Sequence, residues 1–270
     1  MLKFKTLLTP IALSIALVVA VPALAKKDRD HNHNGLRQIL SQLSLTDAQK
    51  QDIKEILKQS RQDARLFKED SERFRSNIQT LVQSNEWDQI AIESALAQSQ
   101  SVQTDKMLQR ATQKNLVWNA LTTEQKTMFS SLVAEKKAEI KSKESNKKGK
   151  HKREGGMFKK LALTDEQKTA VKSIREQARA TDKDLRAKLK EFKEAERALI
   201  TSDDFSSENW LTLSVEYQSD FVAMSVSKAN VRHNVWNILT SEQQQKITER
   251  IEKMQDCKKH CKKHKKQRTV

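Results

Sequence analysis

The C-terminal tail carries four side chains whose types and spacing suit metal binding. It reads Cys257-Lys-Lys-His260-Cys261-Lys-Lys-His264. The spacing i, i+3, i+4 and i+7 places all four on one face of a helix. Thiolate and imidazole are soft to borderline ligands for zinc or copper. Two helical turns cannot close a tetrahedron without distortion, so the pattern favours a half-site completed by a second chain.

Two other interpretations of this tail remain open. An oxidising compartment favours disulfides, and Cys257 can bridge Cys261 or a partner chain. The tail can also be an inert basic segment. His31 and His33, near the other end, are interpreted as solvated side chains that could add weak metal affinity. The sequence does not require a cofactor. The only cofactor for which it offers candidate ligands is zinc or copper at the tail.

Twelve basic side chains form a second candidate site, which we call the basic stripe. On a wheel of about 100° per residue, the first six fall within about 80° of one another if their helix is unbroken. The six positions that lie 118 residues later are also basic. The members are Lys50, Lys54, Arg61, Arg65, Lys68 and Arg75, followed by Lys168, Lys172, Arg179, Lys183, Arg186 and Lys193. They indicate either a solvated helix face or a surface that steers acidic polypeptides, with Leu57, Leu66 and Leu185 as weak apolar contacts.

A repeated helix-start signal, LTxxQ, is predicted to begin the helices that carry the basic stripe. Its Thr hydroxyl can accept a bond from a free backbone N–H, and its Gln can bond back to the N–H of the Thr. The four Thr–Gln pairs are Thr46 and Gln49, Thr122 and Gln125, Thr164 and Gln167, and Thr240 and Gln243. Only four Gly and two Pro occur, so the composition is helical. We predict an all-α fold with three or four helices per unit, including a long helix over 87–119.

The chain is a tandem repeat. Sliding it by 118 residues aligns 43–130 without a gap, and 23 of those 88 positions are identical. Two homologous units are therefore predicted, each of a size that is normal for a domain. The predicted segments are a signal peptide at 1–25, an N-terminal basic and His-containing segment at 26–42, the first unit at 43–140, a basic flexible linker at 141–160, the second unit at 161–255 and a basic Cys/His tail at 256–270.

The N-terminus has the pattern of a secretory signal peptide. Lys3 and Lys5 precede an apolar run, and Ala23-Leu24-Ala25 is a small-x-small cleavage site. We expect cleavage after Ala25 and a soluble periplasmic protein without stable membrane insertion. An uncleaved membrane anchor is the alternative.

The positive charge lies outside the predicted units. The chain carries a net charge of +16, of which 141–160 holds +7 and 256–270 holds +6. The remaining charge belongs to the first 30 residues, so the two units together are neutral. A folded nucleic-acid-binding domain would carry its own positive excess, so no nucleic-acid partner is expected. Neither a Gly-rich phosphate loop nor a GxSxG motif occurs, and no residue is assigned a catalytic role.

The paired motifs, the opening LTDAQKQDIKEILKQSRQD and the ending VWNALTTEQK resemble the Spy/CpxP family of periplasmic proteins. The resemblance covers both units. It implies a curved, cradle-like helical hairpin architecture, formed in the family by two antiparallel subunits. It also implies an ATP-independent chaperone that binds unfolded or misfolded proteins during envelope stress, and not an enzyme. Some members instead restrain a sensor kinase, and some bind zinc.

This chain departs from the family in having two units in tandem and in lacking a Pro pair between the first two helices. The tandem can pair as an internal pseudo-dimer, or its units can pair with those of a second chain in a homodimer. The alternative functions are an accessory regulator of an envelope-stress sensor kinase and a periplasmic zinc- or copper-binding stress protein.

Overall fold

A computed structural model describes residues 34–146 and 161–266, and within those ranges the chain is entirely helical. The first unit contains α1 (Asn34–Leu40), α2 (Asp47–Leu66), α3 (Lys68–Val82), α4 (Gln89–Gln98), α5 (Gln100–Asn119) and α6 (Thr123–Asn146). The second contains α7 (Asp165–Thr181), α8 (Lys183–Ile200), α9 (Ser207–Glu216), α10 (Gln218–Asn237) and α11 (Ser241–Lys266). The predicted all-α fold with two tandem units is confirmed.

Several of these helices are joined end to end through one residue. Phe67 joins α2 to α3, Ser99 joins α4 to α5, Asp182 joins α7 to α8, and Tyr217 joins α9 to α10. Apart from α1, each unit is therefore built from two jointed helix pairs followed by one long helix. The prediction of one continuous helix over 87–119 is wrong. So is the unbroken helix through residue 75 that the helical wheel of the basic stripe supposed.

The joint at Ser99 is a tightened turn of the helix. Its backbone N–H bonds to the Leu96 carbonyl at 3.2 Å, which is an i to i−3 contact, and its hydroxyl donates to the same carbonyl at 3.0 Å. Serine hydroxyls compete in this way with the α-helical hydrogen-bond ladder, and i to i−3 bonds tighten the turn. The ladder then resumes, since the N–H of Gln103 bonds to the Ser99 carbonyl at 3.0 Å.

Each unit has an apolar cluster at the end that carries its LTxxQ motifs. In the first unit Ile53, Val117 and Leu121 pack with Leu40 and Leu43. Leu161, Leu239 and Ile247 form the corresponding cluster in the second. The first unit extends beyond its predicted bounds of 43–140 at both ends. α1 lies in the predicted N-terminal segment and packs on α6, and α6 continues into the predicted linker as far as Asn146.

Two further clusters join one unit to the other. In the first, Ile78 and Val82 of α3 and Ile92 and Ala95 of α4 pack against Ala229 of α10. In the second, Phe192 and Ile200 of α8 and Trp210 of α9 pack against Ala111 of α5. We call these clusters the two seams.

The seams are related by the 118-residue repeat. Val82 corresponds to Ile200, Ile92 to Trp210, and Ala111 to Ala229. Each unit therefore gives the same surface to its partner, which is the reciprocal contact of a two-fold dimer. The two units pair within one chain as an internal pseudo-dimer.

Candidate functional site

The paired LTxxQ motifs form one hydrogen-bonded joint in each unit. In the first unit, the Gln49 side-chain oxygen accepts the Thr46 backbone N–H at 3.0 Å, which completes a capping box. The amide nitrogen of Gln49 donates to the Ala120 carbonyl at 2.9 Å and to the Gln125 side-chain oxygen at 2.7 Å. Gln125 in turn donates to the Ser44 carbonyl at 3.0 Å and to Gln49 at 3.0 Å. The two motifs therefore fasten the starts of α2 and α6 to each other.

The second unit repeats this joint. Gln167 donates to the Ile238 carbonyl at 2.9 Å and to Gln243 at 2.8 Å, while Gln243 donates to the Leu161 carbonyl at 3.2 Å. The Thr164 and Thr240 hydroxyls accept the backbone N–H groups of these glutamines at 3.2 and 3.3 Å. Only a side chain with both an acceptor and a donor can cap its own helix and bridge to the next motif. These residues therefore hold the two helix starts of each unit together.

Comparison with known proteins agrees with this duplicated joint. The description "LTXXQ motif family protein" matches residues 31–133 and again residues 149–251, which together exceed half of the chain.

The chain belongs to the LTXXQ motif family. The two matches make it a tandem, two-unit member of this family of Spy/CpxP-like periplasmic stress proteins, which are generally not enzymes. Comparison with curated proteins and comparison with solved structures each found no match to this chain.

The basic stripe is distributed over four helices. Lys68 is half-buried and the other eleven members are exposed. Lys50 lies 2.9 Å from Asp47, Lys168 lies 2.8 Å from Asp165, and the Arg186 guanidinium lies 3.2 Å from Asp182. Acids on the same helices therefore neutralise part of the stripe. A hydrogen bond from Lys50, followed by its charge, lowers the pKa of Asp47, and Lys168 lowers the pKa of Asp165 in the same way.

Positive charge is concentrated where Arg75 approaches α5. The Lys106 ammonium donates to the Ser71 hydroxyl at 3.0 Å. Burial lowers the pKa of Lys106, and the charges of Arg110 and Arg75 lower it further. Neither Lys106 nor Arg110 was in the predicted site, because the helical wheel follows one helix and cannot show which residues a neighbouring helix adds.

The three apolar residues expected beside the stripe have different environments. Leu57 is half-buried and packs against the apolar cluster at the end of the first unit. Leu66 is 75% exposed, next to the joint at Phe67. Leu185 lines a groove in the second unit. The structure thus brings only part of this predicted surface together.

We call that groove the second-unit groove, and a smaller one at the equivalent place of the first unit is called the first-unit groove. The second-unit groove holds about 900 Å³ between α7, α10 and α4 of the other unit. The first-unit groove holds about 520 Å³ between α2 and α5. No member of the basic stripe lines either groove. The apolar lining of the second-unit groove includes Ile174, Ala178, Val222, Val226 and Val231.

The groove residues were missed at the level of sequence. Their signal was available in the repeat, because Gln113 and Thr104 of the first unit correspond to Val231 and Val222 of the second. A polar residue in one unit and an aliphatic residue at the equivalent helix position of the other indicate a surface that is polar in the first unit and apolar in the second. Trp87 and Glu93 of the first unit also line the second-unit groove, and the sequence of one unit cannot show a contact that the other unit supplies.

The predicted metal ligands of the tail lie in a helical stretch of backbone. Because α11 runs to Lys266, the spacing of Cys257, His260, Cys261 and His264 corresponds to consecutive turns of one helix. Their side chains lie outside the described residues, as do His31 and His33. Among the residues that are described, no cluster of three or more His, Cys, Asp or Glu could hold a metal ion.

None of the helices in the described ranges is long and apolar enough to span a membrane. The predicted signal peptide at 1–25 and the linker residues 147–160 lie outside those ranges.

Proposed function

We propose that this protein is an ATP-independent, chaperone-like protein of the periplasm that binds unfolded or misfolded envelope proteins during envelope stress. It reaches the periplasm through a signal peptide cut after Ala25. Its LTXXQ family membership over both units supports this function. The observation that carries the proposal is the second-unit groove, an open surface whose lining includes Ile174, Val222 and Val231.

The surface chemistry suits weak and reversible binding. Exposed apolar patches on a folded protein mark interaction sites, and Val215 in the groove lining is 66% exposed. The basic stripe, on other faces of α2, α3, α7 and α8, supplies long-range attraction for acidic chains. Partial neutralisation by Asp47, Asp165 and Asp182 keeps that attraction modest, so a client can leave and fold.

The direct test is suppression of aggregation. A chain comprising residues 26–270 is mixed, without ATP, with an acidic test protein unfolded by disulfide reduction, and light scattering is followed. We expect suppression at near-equal molar amounts. Charge reversal at Arg61, Arg65, Arg179 and Lys183 should slow capture, most clearly at low salt. The matched control reverses four exposed basic residues outside the stripe, Lys137, Lys228, Arg232 and Lys253. Undiminished aggregation with the unaltered chain would reject the function.

A separate proposal concerns the tail, because its backbone is helical through the candidate ligands. We propose that reduced Cys257, His260, Cys261 and His264 bind zinc or copper. Titration of the reduced chain with zinc, compared with a Cys257→Ser/Cys261→Ser variant, tests this. Saturable binding lost in the variant supports it, and the absence of binding at micromolar metal rejects it.

A further inference from the structure

The two grooves occupy equivalent positions in the pseudo-dimer. Eight residues of the first-unit groove have their 118-residue counterparts in the second-unit groove. These pairs are Ile56/Ile174, Gln59/Gln177, Ser60/Ala178, Asp63/Thr181, Gln109/Ser227, Thr112/Asn230, Gln113/Val231 and Leu116/Asn234. Most of the first-unit lining is therefore repeated in the second-unit groove, although the helix joints at Phe67 and Asp182 do not fall at equivalent positions of the repeat.

The first-unit groove is bridged by its own polar groups. The Ser60 hydroxyl donates to the side-chain oxygen of Gln113 at 2.6 Å, and Gln109 donates to the Ser60 carbonyl at 3.3 Å. Asp52, Glu55 and Asp63 add three carboxylates to its lining. An apolar segment entering there would have to break the bridge and desolvate carboxylates, which is unfavourable.

The second-unit groove has lost this bridge. Ala178 and Val231 stand where Ser60 and Gln113 stand in the first unit, and neither can form a side-chain hydrogen bond. Val222 and Ala223, whose counterparts in the repeat are Thr104 and Asp105, also line the second-unit groove. The second-unit groove is larger and lacks the polar bridge, and Trp87 of the first unit is part of its lining.

The charged side chains that line the second-unit groove are both acidic. Asp182 is buried and paired with Arg186 at 3.2 Å. Glu93 is exposed and accepts a hydrogen bond from the neutral Gln89 at 2.7 Å. Its negative charge is therefore available to an occupant. A chain that fills this groove gains by placing a cation beside Glu93.

We propose that the second-unit groove is the site where a client polypeptide docks, and that its ligand is an extended, aliphatic-rich segment carrying a Lys or Arg. The first-unit groove does not take such segments, so the pseudo-dimer has one docking side. This inference rests on the proposed function and names the ligand class for it. The basic stripe then attracts the client from a distance, and the second-unit groove holds the client once it has docked.

Exchange of equivalent residues tests the proposal on the chain of residues 26–270. The probe is a short, fluorescently labelled peptide of leucine, valine and serine with one lysine, and affinity is read by anisotropy. Ala178→Ser/Val231→Gln installs the first-unit side chains in the second-unit groove, and we expect binding about tenfold weaker. The matched control, Ser60→Ala/Gln113→Val, alters the first-unit groove and should not weaken binding. Circular dichroism melting verifies that both variants fold.

A second variant tests the charge. Glu93→Lys should reverse the preference, so that a peptide with glutamate in place of lysine binds better than the lysine peptide. Equal affinities of the unaltered chain and the Ala178→Ser/Val231→Gln variant would overturn the docking site. An unchanged lysine preference in Glu93→Lys would overturn the ligand class.

The outcomes separate this proposal from the one on which it rests. Suppression of aggregation with no peptide binding, or with equal suppression by the Ala178→Ser/Val231→Gln variant, rejects the groove and keeps the chaperone function. A concentration-dependent doubling of mass that this variant abolishes would show that a second copy fills the groove, and would also overturn the proposal. Failure of the unaltered chain in both assays rejects the proposed function itself.

Discussion

Asn115 and His233 occupy equivalent positions 118 residues apart, and each bonds across a seam to the backbone of the other unit. The Asn115 amide donates to the Ile200 carbonyl at 2.9 Å. The Nδ1 atom of His233 lies 3.3 Å from the Val82 carbonyl, and Val82 is the counterpart of Ile200. Both side chains are buried. Two polar side chains thus fix the register of two otherwise apolar seams.

This relationship predicts how substitutions at His233 affect stability. His233→Leu leaves the buried Val82 carbonyl without its side-chain donor, and we expect the free energy of unfolding to fall by about 1–3 kcal/mol. His233→Asn puts in the second seam the amide side chain that Asn115 provides at the equivalent position, and it should retain most of the stability. Urea unfolding of the three proteins measures the difference. Equal losses in both variants would show that the hydrogen bond is unimportant.

The reciprocal glutamine bridge predicts a strong effect of a small chemical change. In Gln49→Glu the carboxylate can still accept the Thr46 N–H, but it cannot donate to Ala120 or Gln125. We expect a loss of about 1–3 kcal/mol, measured by urea unfolding at neutral pH. Gln51→Glu, which adds the same charge at an exposed position of α2, is the control and should change little. Similar losses in the two variants would assign the effect to charge alone.

The ion pairs at the helix starts predict part of the acid sensitivity. Lys50 lowers the pKa of Asp47, and Lys168 lowers the pKa of Asp165, below the ordinary value of 3.8. Because these pKa values are lower in the folded state, their contribution is fully present above that ordinary value. It is lost as the pH falls through the folded-state pKa.

We therefore expect Asp47→Asn/Asp165→Asn to flatten the loss of stability below about pH 4, as measured by urea unfolding across a pH series. Lys50→Met/Lys168→Met removes the partners of the two carboxylates and should flatten the same limb. If the free energy of unfolding of these variants falls with decreasing pH as steeply as that of the unaltered chain, this assignment is contradicted.

Much of the scaffold follows from local sequence. Thr46, Thr122, Thr164 and Thr240 begin helices because a capping box needs only residues three apart, and such a pattern is visible in a single sequence. The bridge between Gln49 and Gln125 joins residues 76 apart, and only the fold brings them together. The repeat itself indicated that two units exist, but it left pairing within a chain and pairing between chains equally open.

The parts that sequence could not supply depend on neighbouring helices. The joint at Ser99 lacks Gly or Pro, so no residue marked it as a helix break. Arg75 was assigned to one helical face, whereas its electrostatic neighbours Lys106 and Arg110 come from α5. The second-unit groove needs Glu93 from the other unit, so neither composition nor periodicity could have shown it.

We infer that one chain, paired with itself, is a complete scaffold for binding an unfolded client. The most direct test is the light-scattering mass of the complex between residues 26–270 and a reduced, unfolded test protein, separated by size-exclusion chromatography. We expect a complex that contains one copy of this chain, and a free protein with the mass of a single chain. A complex that requires two copies, or the absence of any complex, would contradict it.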